Sequence, residues 1–319
     1  MPTRPVPLAT KLLSGLQRGS RAIMLPPGFG RPAAPLMPPD FGPVLGRIGG
    51  LEVRLATTRK DVKRAQKLRY RVFHEEMSAI PDVISRLKKR DIDAYDALCD
   101  HLLVIDHDGP PESSGKRKFE FGKGRKPKVV GTYRLLRQDV AERCSGFYSA
   151  GEFDIAPLIA ANPGKRFLEL GRSCVLAPYR DKRTVELLWH GIWAYVLHHR
   201  IDVMFGCASL DGTDPEAHAL ALSFLHHHAL APVEWRARAL PRRYVSMNRL
   251  PASAVDPKQA LRLLPPLVKG YMRVGATFGD GAVVDRQFGT TDVLVVLPVS
   301  AINPRYITHF GVDASRHAA

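Results

Sequence analysis

From Leu51 onward, apolar runs of strand length alternate with longer stretches whose apolar residues recur at helical spacing. LEVRLA at 51–56 reads as a strand, and residues 58–77 read as a helix with Leu68, Val72 and Phe73 on its inner face. Residues 78–100 are charged and irregular, and HLLVID at 101–106 is a strand. The stretch 107–128, rich in Gly, Lys, Arg and Pro, reads as a solvated loop. VVGTYRLL at 129–136 resumes as a strand, which makes the loop a decorated hairpin. FLELGRSCVL at 167–176 is the next strand, followed by a strongly apolar helix over 184–199. IDVMFGCASL at 201–210 is a strand, 215–230 a helix and 244–250 a strand-like run. Beyond Pro251 the pattern weakens, with DVLVVLP at 292–298 as one further strand. Hairpins ahead of a central helix argue against both a doubly wound sheet and a β-sandwich. The expected class is α+β (mixed α/β), a central mixed sheet flanked by helices. The expected organisation is a flexible basic Pro/Gly-rich tail (1–50), a main domain (51–250) and a C-terminal extension packed on it (251–319).

Composition narrows the function classes. The 319 residues are 45% hydrophobic and 24% charged, enough for a substantial core. No apolar run approaches the ~18 residues of a spanning helix. Net charge is +16, from 47 Lys+Arg against 31 Asp+Glu, which calls for an acidic partner: nucleic acid, an anionic membrane or an acidic carrier protein. Four scattered cysteines without a C-x-x-C pair suit reduced thiols and a cytoplasmic protein. The tail has no acidic residue before Asp40 and no signal-peptide core, so secretion is not expected. Its segment 11–24 has the pattern of a short basic amphipathic helix that would touch anionic lipid at the inner membrane face, and also the look of a transit peptide. Its plain reading is a disordered tail.

The stretch 167–188, FLELGRSCVLAPYRDKRTVELL, holds the candidate chemistry. Charges inside a strand cost free energy unless paired or used. Alternation places Glu169, Gly171 and Ser173 on one face and Leu168, Leu170, Arg172 and Cys174 on the other. A bulge at Gly171 would turn Glu169 and Arg172 toward a common cleft. The bland reading is a buried Glu169–Arg172 ion pair. Upstream stand Arg69 and Phe73 on the first helix, then Asp93, Asp96 and Asp100, then Arg134 on a strand.

In that order, R-x-x-x-F, D-x-x-D, a strand Arg and E-x-x-R resemble the GNAT-like core of acyl-homoserine-lactone synthases. The phrases LRYRVFHEEM, CDHLLVID, VVGTYRLL, LELGRSCV, LLWHGIWAYV and FGCASLDGTDP, with the tail 269–298, are closer to the ornithine lipid N-acyltransferases over roughly 51–310. The resemblance implies transfer of a 3-hydroxyacyl chain from acyl carrier protein to the α-amino group of L-ornithine, the first step of a lipid biosynthesis, with no resident cofactor. On that reading Glu169 is the base, with Arg172 and Ser173 beside it, and strand N–H groups at 171–173 meet the oxyanion. Arg69, Phe73 and Arg134 contact substrate, or Arg134 and Arg172 pair with the acids. Asp93, Asp96 and Asp100 face ornithine's second ammonium, and Tyr179 or Ser173 protonates the thiolate. CoA-dependent relatives carry glycines where this chain has 180–185, RDKRTV. Their absence favours a protein-borne phosphopantetheine approaching a rim of Tyr179, Arg180, Lys182 and Arg183.

Other signals are weaker. His101 and Asp106 have an H-x-x-x-x-D spacing, but an odd separation in one strand puts them on opposite faces. His226–His228 and His198–His199 lack the spacing of a metal site, so no metal is expected. The basic loop 116–128, with Phe119 and Phe121, suggests binding of RNA or lipid headgroups. The alternatives are therefore a lactone synthase acting on S-adenosylmethionine and a non-catalytic basic RNA- or membrane-binding module.

Overall fold

The computed structural model describes residues 42–77, 79–109 and 126–303. The expected amphipathic segment 11–24, most of the tail, nearly all of the loop 107–128 with Phe119 and Phe121, and the chain from 304 lie outside the described residues.

The described strands are β1 (Val44–Ile48), β2 (Leu51–Leu55), β3 (Asp100–Asp106), β4 (Lys128–Arg137), β5 (Phe153–Asp154), β6 (Phe167–Val175), β7 (Val203–Asp211), β8 (Arg238–Ala239), β9 (Thr277–Asp285) and β10 (Thr290–Pro298). They form one sheet in the order β1-β2-β3-β4-β6-β7-β10-β9-β8-β5. The helices are α1 (Arg59–Tyr70), α2 (Val83–Lys88), α3 (Gln138–Ala141), α4 (Ala156–Ala160), α5 (Lys182–His199), α6 (Ala219–Ala229), α7 (Pro257–Leu263) and α8 (Pro266–Val274). Their starts and stops follow local chemistry. Thr58 caps α1 through the Asp61 N–H and Asp181 caps α5 through the Thr184 N–H. Gly275, at φ 104°, ends α8 in the left-handed conformation that glycine adopts freely.

Two apolar clusters hold the sheet. The larger joins Val53 and Leu102 to Leu187 and Ile192 of α5, Leu222 of α6 and Val293 of β10. The smaller gathers Tyr95, Leu136, Phe147, Phe153, Phe167 and Phe205. All nine residues of β10 are buried, as expected of an apolar run in mid-sheet.

Several expectations change. β1 lies inside the expected tail, where VLGRI is too short and glycine-flanked to show periodicity. The helix over 58–77 becomes π-helical at Arg71–Glu76. The run at 244–250 contributes one bridge, Val245 to Ala282, rather than a strand. The segment after 250 is no appended extension. It supplies α7, α8 and β9, and β10 pairs with β7 along nine residues, so the 250 boundary cuts through a single sheet.

β6 and β7 run parallel and pair over only three positions, Phe167–Val203, Leu168–Met204 and Glu169–Phe205. Beyond them each strand pairs with its outer neighbour alone, β6 with β4 and β7 with β10. The sheet is therefore split at the level of Leu170.

Candidate active site

The split opens a small cleft lined by Leu170, Trp189, Met204, Cys207, Tyr271 and Leu297, among others. The lining draws on both apolar clusters, because the separated strands no longer close the sheet between them. At its throat a Cβ on Gly206 would stand 2.1 Å from the Leu170 carbonyl oxygen, so only glycine fits.

The expected bulge is present, one residue further on. Thr132 pairs with Cys174 and Arg134 with Gly171, which leaves Arg172 and Ser173 opposite Tyr133 alone. Arg172 takes the strain, at φ 51°. The bulge swings Arg172 onto the face of Glu169, and both meet Tyr148: Glu169 accepts its N–H at 2.7 Å, and Arg172 donates to its hydroxyl at 3.3 Å. Ser173 is turned away from Glu169, contrary to simple alternation. It stands by Tyr133, whose hydroxyl is 2.9 Å from that of Tyr271 in the cleft wall.

Glu169 is not the cleft-facing carboxylate expected. It is 4% exposed and accepts three short hydrogen bonds, from the N–H of Tyr148, the N–H of Ser149 and the Ser149 hydroxyl. Burial raises its pKa despite these donors. Its visible work is to clamp the 3₁₀ turn Tyr148–Gly151 against β6.

The upstream residues assemble with one another. Arg69, wholly buried, binds Asp91 at 2.7 Å and Asp96 at 2.7 Å. Arg134 binds both oxygens of Asp93 at 2.6 Å, and Arg172 reaches Asp93 at 3.2 Å. Burial pulls Asp93 upward, but Arg134 and Arg172 outweigh it and hold its pKa at about 2. Asp91, absent from the sequence-level set, is likewise pulled far below the ordinary carboxylate range. Three rings face this cluster: Tyr95 at 5.7 Å and Tyr148 at 5.2 Å from Arg134, and Phe288 at 4.5 Å from Arg172. The charged groups of this ionic core pair mainly with one another rather than standing free, although Arg69 Nη1 and Arg172 Nε have no hydrogen-bond acceptor among the described residues. Asp100 belongs elsewhere: it accepts the Tyr195 hydroxyl at 2.5 Å. Phe73 packs edge-on against Phe288 at 5.7 Å, a partly buried core contact.

The rim also divides. Tyr179 is 3% exposed and donates to Asp106, which removes it from the surface and from the thiolate. Arg180 pairs with Glu76 at 2.6 Å, exposed Lys182 with Glu186 at 3.4 Å, and Arg183 donates to the Ile48 carbonyl at 3.2 Å. These three remain at the surface around the start of α5. His101 and Asp106 have separate partners, Asp96 O and Tyr179, and form no pair.

Sequence reasoning missed the residues nearest the cleft. The Cys207 thiol, in the cleft wall, is 3.4 Å from Ser149 Oγ and 3.5 Å from Glu152 Oε2. Burial first, then the charge of Asp292, lifts the Glu152 pKa to about 7. One signal was available: Asp292 is a charge inside the apolar run TTDVLVVLP.

The family model described as acetyltransferase (GNAT) domain matches residues 68–190. The chain is 57% identical to the L-ornithine N(alpha)-acyltransferase of Agrobacterium fabrum over 273 residues, 86% of this chain and 89% of the relative. It is 56% identical to that of Rhizobium meliloti over 278 residues, again 86% of this chain and 89% of the relative. Among solved structures, an N-acyl amino acid synthase from uncultured soil microbes is 11% identical, with a TM-score of 0.42, covering 80% of this chain and 92% of the other.

Proposed function

The chain belongs to the family of the L-ornithine N(alpha)-acyltransferases, and on that footing we propose that it moves a 3-hydroxyacyl chain from acyl carrier protein to the α-amino group of L-ornithine. Its fold is the GNAT-like α+β fold expected from the motifs. The observation that carries the mechanism is the split between β6 and β7, which gives an extended thioester an apolar seat beside a carboxylate poised near neutrality.

In the proposed step the α-ammonium gives a proton to Glu152, not Glu169. The freed amine attacks the thioester carbon, N–C forms, and C–S breaks as the tetrahedral intermediate collapses. N–H groups of the bulge at 171–173 meet the oxyanion, while Tyr271, hydrogen-bonded to Tyr133, gives its proton to the leaving thiolate and regains one from the amine nitrogen, which sheds its second proton as the amide forms. The donor's phosphopantetheine arrives on its carrier, with Arg180, Lys182 and Arg183 as the basic rim that an acidic protein meets. Among the described residues no helix is long and apolar enough to cross a membrane. Surface contact with an anionic leaflet is proposed at α2, where Val83, Ile84 and Leu87 are exposed beside Arg86, Lys88 and Lys89.

The test is acyl transfer by purified protein to a panel of amino acids, with carrier-protein and CoA thioesters side by side. Transfer to ornithine from the carrier-protein donor is the expected result. No turnover with either donor, or lactone formation from S-adenosylmethionine, would overturn the reading.

A further inference from the structure

Ornithine brings a second ammonium that does not react, and of the acids expected to hold it Asp93 and Asp96 are spent on arginines and Asp100 on the Tyr195 hydroxyl. A different acidic group, Glu152, Asp285 and Asp292, has a single ion-pair partner among the described residues, Arg243. We infer that Asp285 and Asp292, beside Glu152, form the seat for the acceptor's side-chain ammonium and so select a diamino acid over a simple one. The inference rests on the acyl-transfer reading above.

One carboxylate oxygen from each of the three lies within 4.8 Å of the others. That spread accommodates the about 4.7 Å between acceptors of a tetrahedral N–H···O set. Among the described residues the cluster has one ion-pair partner, Arg243, 3.1 Å from Glu152, so three acids face one cation. Asp292 is 6% exposed and its Oδ1 has no well-aligned hydrogen-bond donor among the described residues, although the Ser209 and Thr290 side chains stand close enough to lower its pKa. A buried carboxylate oxygen without a donor is costly, and an ammonium N–H is the group that relieves it. Burial and then the Asp285 charge raise Asp292 to about 6, and burial and the Asp292 charge raise Glu152 to about 7.

Placement agrees with the length of the acceptor. Asp292 pairs with Ser209, two residues beyond Cys207 on β7, an advance of about 7 Å along the strand. The two nitrogens of extended ornithine are about 6 Å apart. An α-amine at the cleft beside Cys207 and Glu152 therefore puts the side-chain nitrogen at Asp292 and Asp285. Asp285 is half-buried and Ser209 exposed, so the seat opens to solvent.

The experiment compares wild type, Asp292→Asn and Asp285→Asn, with L-ornithine and with L-norvaline, which has the same carbon chain and no terminal amine. The wild type is expected to favour ornithine in kcat/KM by at least about 100-fold, and each variant to reduce that preference at least about tenfold, mainly through the ornithine KM. A wild type indifferent to the terminal amine, or variants that keep the full preference, would overturn the seat. Loss of wild-type activity in EDTA with recovery on Mg²⁺ or Ca²⁺ would also overturn it, assigning the cluster to a metal. Should Asp292→Asn fail to fold, Asp285→Asn decides on the same ratio. No transfer by the wild type to any amine would instead reject the underlying acyl-transfer reading.

Discussion

Glu169 Oε1 accepts the Ser149 hydroxyl at 2.5 Å while the Ser149 N–H donates to the same oxygen at 2.7 Å. With the Tyr148 N–H on Oε2, the carboxylate fixes the turn from which Glu152 reaches the Cys207 thiol of the cleft wall. Glu169 and Glu152 are thus linked through a short run of backbone, one as clamp and the other as the proposed proton acceptor.

Replacing the clamp removes an acceptor that two backbone donors require. Glu169→Gln presents an NH₂ to one of those N–H groups, and an unsatisfied buried donor costs about 1–3 kcal/mol. Urea unfolding is expected to show that loss of stability, with kcat falling alongside it as the turn loosens. A variant of unchanged stability but strongly reduced kcat would return Glu169 to the role of base.

Glu152→Gln is expected to behave in the opposite sense. As the base it contributes about 10²–10⁴ to rate, so kcat falls by that order. In the wild type, kcat/KM for ornithine rises with pH through about 7, the Glu152 pKa, and the variant loses that limb. The stability sign is also fixed. Between the ordinary pKa of 4.5 and about 7 the native carboxyl keeps a proton that the unfolded chain has released, so stability falls as pH rises. The glutamine variant escapes that decline and melts above the wild type at pH 8.

The ionic core predicts the reverse pH dependence. Asp93 is held at about 2 against an ordinary 3.8, so its contribution is full above 3.8 and lost as pH falls toward 2. Acid unfolding is expected to begin in that window. Asp93→Asn leaves Arg134 and Arg172 buried with an unmatched charge, a loss of about 3–5 kcal/mol measurable by denaturant titration at pH 7.

How much of this was legible depended on whether a residue's partner lay near in sequence or across the sheet. The strands at 101–106, 129–136 and 167–175 and the helix α5 carry their own periodicity, and the structure places them where the pattern did. The bulge was legible from a glycine in a strand, although the strain settled on Arg172 rather than Gly171. Arg69, Asp93, Asp96 and Arg134 were recognisable as a set, but their spacing could not say that they neutralise one another, since Arg134 meets Asp93 across 41 positions. Asp285 and Asp292 went unread because β10 reaches the centre of the sheet only by pairing with β7, a contact local patterning does not encode.

The throat of the cleft gives a steric prediction. Gly206→Ala would drive its methyl into the Leu170 carbonyl oxygen, 2.1 Å from the ideal Cβ, and a backbone atom cannot rotate aside. β6 and β7 must then shift where their pairing ends, so the donor seat changes shape before the distant acceptor seat does. The expected result is a rise of roughly tenfold or more in the KM for the acyl donor, with the ornithine preference over norvaline retained. Equal losses toward donor and acceptor would place the throat in general folding rather than in donor binding.

The carrier-protein rim is tested by charge reversal. Lys182 is 83% exposed and its partner Glu186 lies one turn along the same helix, an exposed pair that contributes little to stability. Lys182→Glu and Arg183→Glu should therefore leave the fold in place while placing acidic groups where the proposed acidic carrier would dock. The KM for the carrier-bound donor is expected to rise roughly tenfold at low salt, and the difference from wild type to shrink as salt screens the rim. A small phosphopantetheine thioester, which has no acidic surface to repel, should respond far less. Lys182→Glu sets a like charge one turn from Glu186 at a cost of about 0.2–0.5 kcal/mol, whereas Arg180→Glu is a poorer probe because it would set one against Glu76 in a pair closed at 2.6 Å. If both donors weaken equally in the Lys182 and Arg183 variants, the rim recognises the phosphate alone, and the preference for a carrier protein must reside in the acyl cleft.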